Sequence, residues 1–180
     1  MLRPFDKLRV GSKVEPQAQH ERKSSVMPFA LRRSKGERPM VIHTAKIVEK
    51  TRGHCDTIDI TNKVKEEVER QKIRRGLATL FVSGSTASLT TIEYESGVLK
   101  DLQELLEKLI PSNRKYHHDD RWGDDNGFSH LRASLLGPSL QVPIDDGKLM
   151  LGTWQQIVLL DFDNRPRTRE IVVQIMGESE

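Results

Sequence analysis

A single cysteine, Cys55, stands among 180 residues, which excludes an intramolecular disulfide and any structural zinc site built on thiolates. So little cysteine is expected of a chain kept in a reducing compartment, and Cys55 itself reads as a small strand residue. No stretch of about 18 apolar residues occurs, so no transmembrane helix is expected. The N-terminus also lacks the apolar run of roughly 7–15 residues that marks a secretory signal peptide. The expected address is the cytoplasm. No internal repeat is visible, and the length is that of one ordinary domain.

What is present divides by charge. Hydrophobic residues make up 36% and charged residues 31%, as in a globular chain, yet a mean hydropathy of −0.56 points to a polar segment somewhere. Residues 1–39 hold ten Lys and Arg against four acids, a net +6, and the remainder is left at −3. The sequence pI near 9.0 therefore belongs to the first segment, and nucleic-acid binding by the part that can fold is not expected. Residues 1–39 follow neither helical nor strand periodicity and are rich in Pro, Gly, Ser and basic residues, so they read as a disordered basic extension. Their wording resembles translated intergenic repeat elements, which would place the true start at Met27 or Met40. An Arg-rich organelle-targeting peptide fits less well, because such peptides are amphipathic and poor in acids.

From Val41 onward the texture becomes that of a folded domain. Residues 41–48 and 56–61 alternate and suggest a hairpin turning at Arg52-Gly53. Residues 62–75 carry Val64 and Val68 on one face among charges and read as a helix stopped by Gly76. Two strands are expected at residues 77–82 and 89–94, joined by the polar loop Ser83–Ala87. A leucine stripe from Leu99 to Leu109, capped near Ser96 and ended by Pro111, predicts a second helix. Residues 112–131 read as one long loop, followed by strands at 132–136, 140–144, 148–152, 156–163 and 170–176. The Asp146-Gly147 turn makes residues 140–151 a hairpin. The expected architecture is α+β, a mainly antiparallel β-sheet packed with two helices.

Three constellations can carry chemistry. His117, His118, Asp119, Asp120, Asp124, Asp125, Asn126 and His130 crowd the long loop, and imidazoles with carboxylates suit Zn²⁺, or Mg²⁺ where oxygen donors dominate. Their spacing matches no regular zinc motif, and solvated loop residues would look the same. Ser83-Gly84-Ser85-Thr86-Ala87-Ser88 could present main-chain N–H groups and hydroxyls to a phosphate, or simply turn between strands. Glu93 lies opposite Ile92 and Tyr94 in strand periodicity and faces either solvent or a cleft, where it could act as a base. Trp154, next to Gln155 and Gln156, reads as a core residue whose indole N–H needs a partner.

The segments Gly84-Ser85-Thr86-Ala87 through Thr91-Ile92-Glu93-Tyr94-Glu95, Tyr116-His117-His118-Asp119, Trp122, Asn126-Gly127, residues 129–139, and Gly152-Thr153-Trp154-Gln155-Gln156 together resemble the YjbQ-like, or secondary thiamine-phosphate synthase, family over about residues 41–177. The resemblance implies a trimer-forming α+β domain, hence a homotrimer with polar sites near subunit boundaries. It also implies weak joining of hydroxymethylpyrimidine diphosphate to a thiazole phosphate, with a divalent metal assisting. On that resemblance the catalytic residues would be Glu93, His118 and His130. Ser85, Thr86, Asn126, Arg132 and Gln155 would hold the small phosphorylated molecule, and His118, His130 and Asp119 the metal. Many relatives carry histidine where Gly84 stands, and the subgroup nearest in wording has further histidines at the places of Asp124 and Phe128, so the metal site here leans more on oxygen donors. A non-catalytic trimeric module binding metal or phosphate is the competing expectation, and a loop that only seals the trimer is a third.

Overall fold

The computed structural model describes residues 38–179, so the expected disordered extension and the alternative starts lie almost wholly outside the described residues. Along the chain run β1 (Met40–Thr51), β2 (Asp56–Asp59), α1 (Thr61–Gln71), β3 (Ile73–Val82), β4 (Ala87–Ile92) and α2 (Ser96–Leu109). Then follow α3 (His117–Trp122), α4 (Gly127–Leu136), β5 (Ser139–Asp145), β6 (Lys148–Leu149), β7 (Gln156–Asp161) and β8 (Arg167–Ser179). A five-stranded sheet has the order β1-β8-β3-β5-β6, a three-stranded sheet the order β2-β7-β4, and every pairing is antiparallel. The expected α+β class with mainly antiparallel sheet is what the structure shows.

The two sheets and α1 enclose the main core, which includes Ile60, Val64, Val68, Leu80, Leu89, Ile157, Leu159, Ile171 and Ile175. A second core of Leu106, Ala133, Val158, Leu160 and Phe162 lies on the other face of the smaller sheet, under α2 and α4. β7 is consequently buried on both faces, which explains why Ile157-Val158-Leu159-Leu160 is continuously apolar and does not alternate.

Several sequence expectations are corrected by pairing. Residues 41–48 and 56–61 do not form a hairpin with each other: β1 runs along β8, with Met40 opposite Glu178, and β2 along β7. The first helix stops at Gln71 on the left-handed Lys72, and Gly76 belongs to β3. There it faces Gly177, and a Cβ on Gly76 would sit 2.2 Å from the Met176 carbonyl oxygen, so glycine is required by the close approach of two strands and not by a helix end. The long loop contains α3 and the start of α4, giving four helices where two were expected, and residues 132–136 are helical, not a strand. The strands on either side of Ser83–Ala87 lie in different sheets. Cys55 is not a strand residue; it follows Gly53 and His54 in three successive left-handed conformations at the β1–β2 turn. The 140–151 hairpin holds, with Asp145 opposite Lys148.

Candidate functional site

The site forms where three turns meet the end of β7: the β3–β4 loop, the α3–α4 segment and the β7–β8 turn. Main-chain and hydroxyl bonds tie them together. Phe162 N–H donates to the Thr86 carbonyl (2.9 Å), Ser129 Oγ to the Phe162 carbonyl (2.6 Å), and Asn164 Nδ2 to the Asp124 carbonyl (2.7 Å).

His118 of α3 and His130 of α4 lie against each other here, ring centroids 4.4 Å apart and tilted by 43°. His118 Nε2 is buried and completes no hydrogen bond; Asp124 Oδ1 stands 3.4 Å away. Burial first, and then the neighbouring His118, hold the His130 imidazole below its usual pKa, against the opposing pull of Asp124, Asp163 and a hydrogen bond with the Ser85 main chain. His130 is therefore neutral at pH 7 and has a lone pair to offer. Asn126 occupies the position before α4 at which an asparagine ordinarily accepts from the helix amides, yet its side chain caps nothing, and its buried Oδ1 has no partner. Asp163 Oδ1 is likewise buried and unpartnered.

Beneath these atoms lies a buried ionic network that sequence reading missed. Arg169 grips Asp161 with two bonds, Nε to Oδ2 at 2.7 Å and Nη2 to Oδ1 at 2.6 Å, and Nη2 also donates to Thr86 Oγ1 at 2.7 Å. Thr86 Oγ1 donates in turn to Asp163 Oδ2 (3.0 Å), which accepts from Arg167 Nε as well (2.8 Å). Burial pushes the Asp163 carboxyl up, but the bonds from Arg167 and Thr86 and the charges of Arg167 and Arg169 outweigh it and leave the pKa below the usual carboxylate value. The signal was present in the text: Asp161 and Asp163 end an apolar run in equal parity, and Arg167 and Arg169 open the next strand in equal parity.

The remaining expected site residues fall elsewhere or are already occupied. Asp119 accepts from Tyr116 N–H and Gly127 N–H, both at 2.9 Å, and so closes α3 onto α4. Asp119→Ala should lower stability by about 2 kcal/mol, the order expected for a buried charged cap, and a thermal melt alongside metal analysis should find stability reduced with metal content unchanged. Arg132 is 2% exposed and spends its guanidinium on the Ile110 carbonyl and Glu107 at the end of α2. Ser85 is exposed, with its main chain hydrogen-bonded to His130, and the next residue, Thr86, is buried.

Glu93 and Gln155 are not beside the imidazoles. β4 pairs with β7 so that Ala87 meets Asp161 at one end and Ile92 meets Gln156 at the other, which separates Glu93 from Thr86 by the strand's length, roughly 20 Å at about 3.3 Å per residue. Gln155 there bonds Thr91 and the Gly152 N–H, and Trp154 is 69% exposed, not a core residue. A separate cleft of about 540 Å³ lies between the β1–β2 turn and α2, lined by Arg52, His54, Cys55, Tyr94 and Lys100. Burial there, only partly opposed by Arg132, pushes the Cys55 thiol up to about 11, which makes it a poor nucleophile.

Among the described residues no group of three or more His, Cys, Asp and Glu side chains is gathered as metal ligands. The donor types at the junction are instead two adjacent imidazoles, with the unpartnered amide oxygen of Asn126 on the turn between their helices. No helix of the described residues is long and apolar enough to cross a membrane.

Fold and site together define a small α+β protein with two stacked antiparallel sheets and a polar junction at the end of its most buried strand. The family model described as UPF0047 protein YjbQ-like matches residues 45–178, and the chain belongs to that family. A UPF0047 protein of Archaeoglobus fulgidus is 43% identical over 71% of this chain and 96% of its own length. The UPF0047 protein YjbQ of Salmonella typhimurium is 36% identical over 75% of this chain and 96% of its own. Among solved structures, a YbjQ-like protein of Sulfolobus solfataricus superposes with a TM-score of 0.74 at 34% identity, covering 78% of this chain and all of that one.

Proposed function

We propose that the junction binds a divalent metal ion and the phosphate of a small phosphorylated molecule, and that it supports slow transfer of the thiamine-phosphate synthase type. The observation that carries the reading is the adjacency of His118, whose buried Nε2 has no partner, and a neutral His130, with the buried and unpartnered Asn126 Oδ1 on the turn between their helices, since buried polar groups without partners are rare and call for an occupant. The donor types suit Zn²⁺, Mg²⁺ or Mn²⁺, with His118 and His130 as the nitrogen ligands and Asn126 as an oxygen ligand. When bound, such an ion would neutralise a diphosphate leaving group.

In the transfer, the carbon–oxygen bond to the diphosphate breaks, the thiazole nitrogen supplies the electron pair of the new carbon–nitrogen bond, and pyrophosphate departs. This chain's residues contribute by position. Thr86 and the β3–β4 loop stand beside His130 to orient the phosphate, and Phe128 and Phe162, both buried behind the junction, exclude water on that side. Glu93 lies at the far end of β4 and has no part in this step, which removes no proton; the second reading is a binding module without turnover. Homotrimer formation would suit the open face of the larger sheet, where Met40, Ile42, Val48, Phe81 and Met176 are exposed. A cytoplasmic setting agrees with the single cysteine.

The test is incubation of the full chain with both thiamine precursors, with and without Zn²⁺, Mg²⁺ or Mn²⁺, and chromatographic measurement of thiamine phosphate. Slow, metal-dependent product formation that vanishes in His130→Ala is the expected result. Tight metal binding with no product under any condition would establish the binding module.

A further inference from the structure

The reading above leaves open which side chain recognises the anion. Arg169 has two of its three nitrogens committed: Nε and Nη2 hold Asp161, and Nη2 also reaches Thr86. The third, Nη1, bonds no described residue and lies 3.1 Å from the point where a Cβ on Gly84 would be. Glycine at 84 thus leaves open the space in front of that nitrogen. Ser83, Gly84 and Ser85 are all exposed, so this space meets the surface although Arg169 is itself 7% exposed.

The loop around this opening is rich in unspent donors. The main-chain N–H groups of Gly84, Ser85 and Thr86 donate to no described residue, while the N–H of Ser83 before them is taken by the Glu170 carbonyl. Three successive amides and one arm of a guanidinium offer only donors, and the Ser85 hydroxyl can donate beside them, which makes a surface complementary to phosphate oxygens. Asp161 neutralises Arg169 from behind and fixes the plane of its fork, so Nη1 is aimed before any ligand arrives. The unpartnered acceptors of His118, Asn126 and Asp163 belong to the same junction, and donors beside acceptors fit a phosphate bridged to a metal ion.

We propose that Arg169 Nη1, reached across the bare main chain of Gly84, is the phosphate-recognising group of this junction, and that the ligand is a phosphate monoester or a diphosphate. The proposal rests on the phosphorylated-ligand reading of the site and adds to it the residue that reads the anion.

The experiment is calorimetric titration of the full chain with inorganic pyrophosphate in the presence of Mn²⁺, for wild type, Arg169→Lys and Gly84→Ala. Lysine keeps a positive charge facing Asp161 but has no second arm. Alanine leaves the Asp161 side of Arg169 untouched and places a methyl group against Nη1, at a backbone φ of +158° that favours glycine, so its Mn²⁺ uptake and melt are read beside its pyrophosphate affinity. Each variant is expected to bind pyrophosphate at least tenfold more weakly while taking up Mn²⁺ as wild type does, and a merely structural role for Arg169 would not separate the two readouts in this way. If Arg169→Lys fails to fold, Gly84→Ala decides alone. Wild-type affinity in the folded variants overturns the assignment of Arg169 and leaves the phosphate reading standing. No pyrophosphate binding by metal-loaded wild type overturns both.

Discussion

A chain carrying His118→Ala together with His130→Ala is expected to fall from about one bound divalent ion per chain to none, as a first-row metal site reduced to oxygen donors loses its affinity for borderline ions. Its melting temperature should move by only a few degrees. The reason for so uneven an outcome is that neither ring holds the fold together. His118 Nε2 makes no hydrogen bond, both imidazoles are only partly buried, and the core clusters contain neither. What the rings do hold is each other, at 4.4 Å, an arrangement with no evident structural gain when both are neutral and an electrostatic cost when both are charged. Inductively coupled plasma mass spectrometry on wild type and double variant decides the matter. Metal retained at full stoichiometry in the variant would remove the imidazoles from the site, and a collapse of the melt would make them structural.

Asp161→Ala is expected to be the most destabilising single change at the junction, by about 3–5 kcal/mol, because it strands a buried guanidinium. For a domain of this size that corresponds to a fall in melting temperature of roughly 10 °C or more. Asp161 is fully buried and accepts from Arg169 twice, from the Asp163 N–H and from the Thr51 hydroxyl, so its removal unpairs donors on β1, β8 and the β7–β8 turn at once. The ion pair of Arg52 with Asp56 gives the contrast. There Nε and Nη2 both reach the single oxygen Asp56 Oδ1, the Arg52 side chain is 88% exposed, and Arg52→Ala should cost far less than Asp161→Ala. Chemical denaturation of the two variants measures both. Equal effects would mean that burial does not set the worth of the Asp161–Arg169 pair.

Legibility in the sequence followed how local the determining interactions are. The Asp146-Gly147 hairpin, the leucine-striped α2 and most of α1 are set by neighbours in the chain, and their residues announced them. The pairing of β1 with β8 joins the two ends of the domain, and no local pattern records it. α3 and α4 were hidden because α3 is only six residues long, its N-cap is Tyr116, an unusual capping residue, and Asp119 is fixed as much by Gly127 N–H as by its own helix. Gly76 shows the same limit at one residue, a glycine read as a helix stop that is needed for strand contact. At the site, the family wording led to His118, His130, Ser85 and Thr86, which the fold does bring to one junction, yet it also gathered Glu93 and Gln155, which lie at the far end of β4. Arg169 and Asp161 went unread because strand periodicity treats charges as outward, and here they are paired inside.

The burial of β7 on both faces has a kinetic side. A strand clamped between two cores opens only when most of the domain does, so Asp161 and the turn that follows it belong to the least yielding part of the molecule. The wall formed by α3 and the head of α4 is a short helix, a turn containing the left-handed Gly123 and Asp125, and a few side-chain caps. A ligand entering the junction meets an anvil on one side and a jaw on the other, and whatever adjustment separates one phosphorylated molecule from the next must come from the jaw.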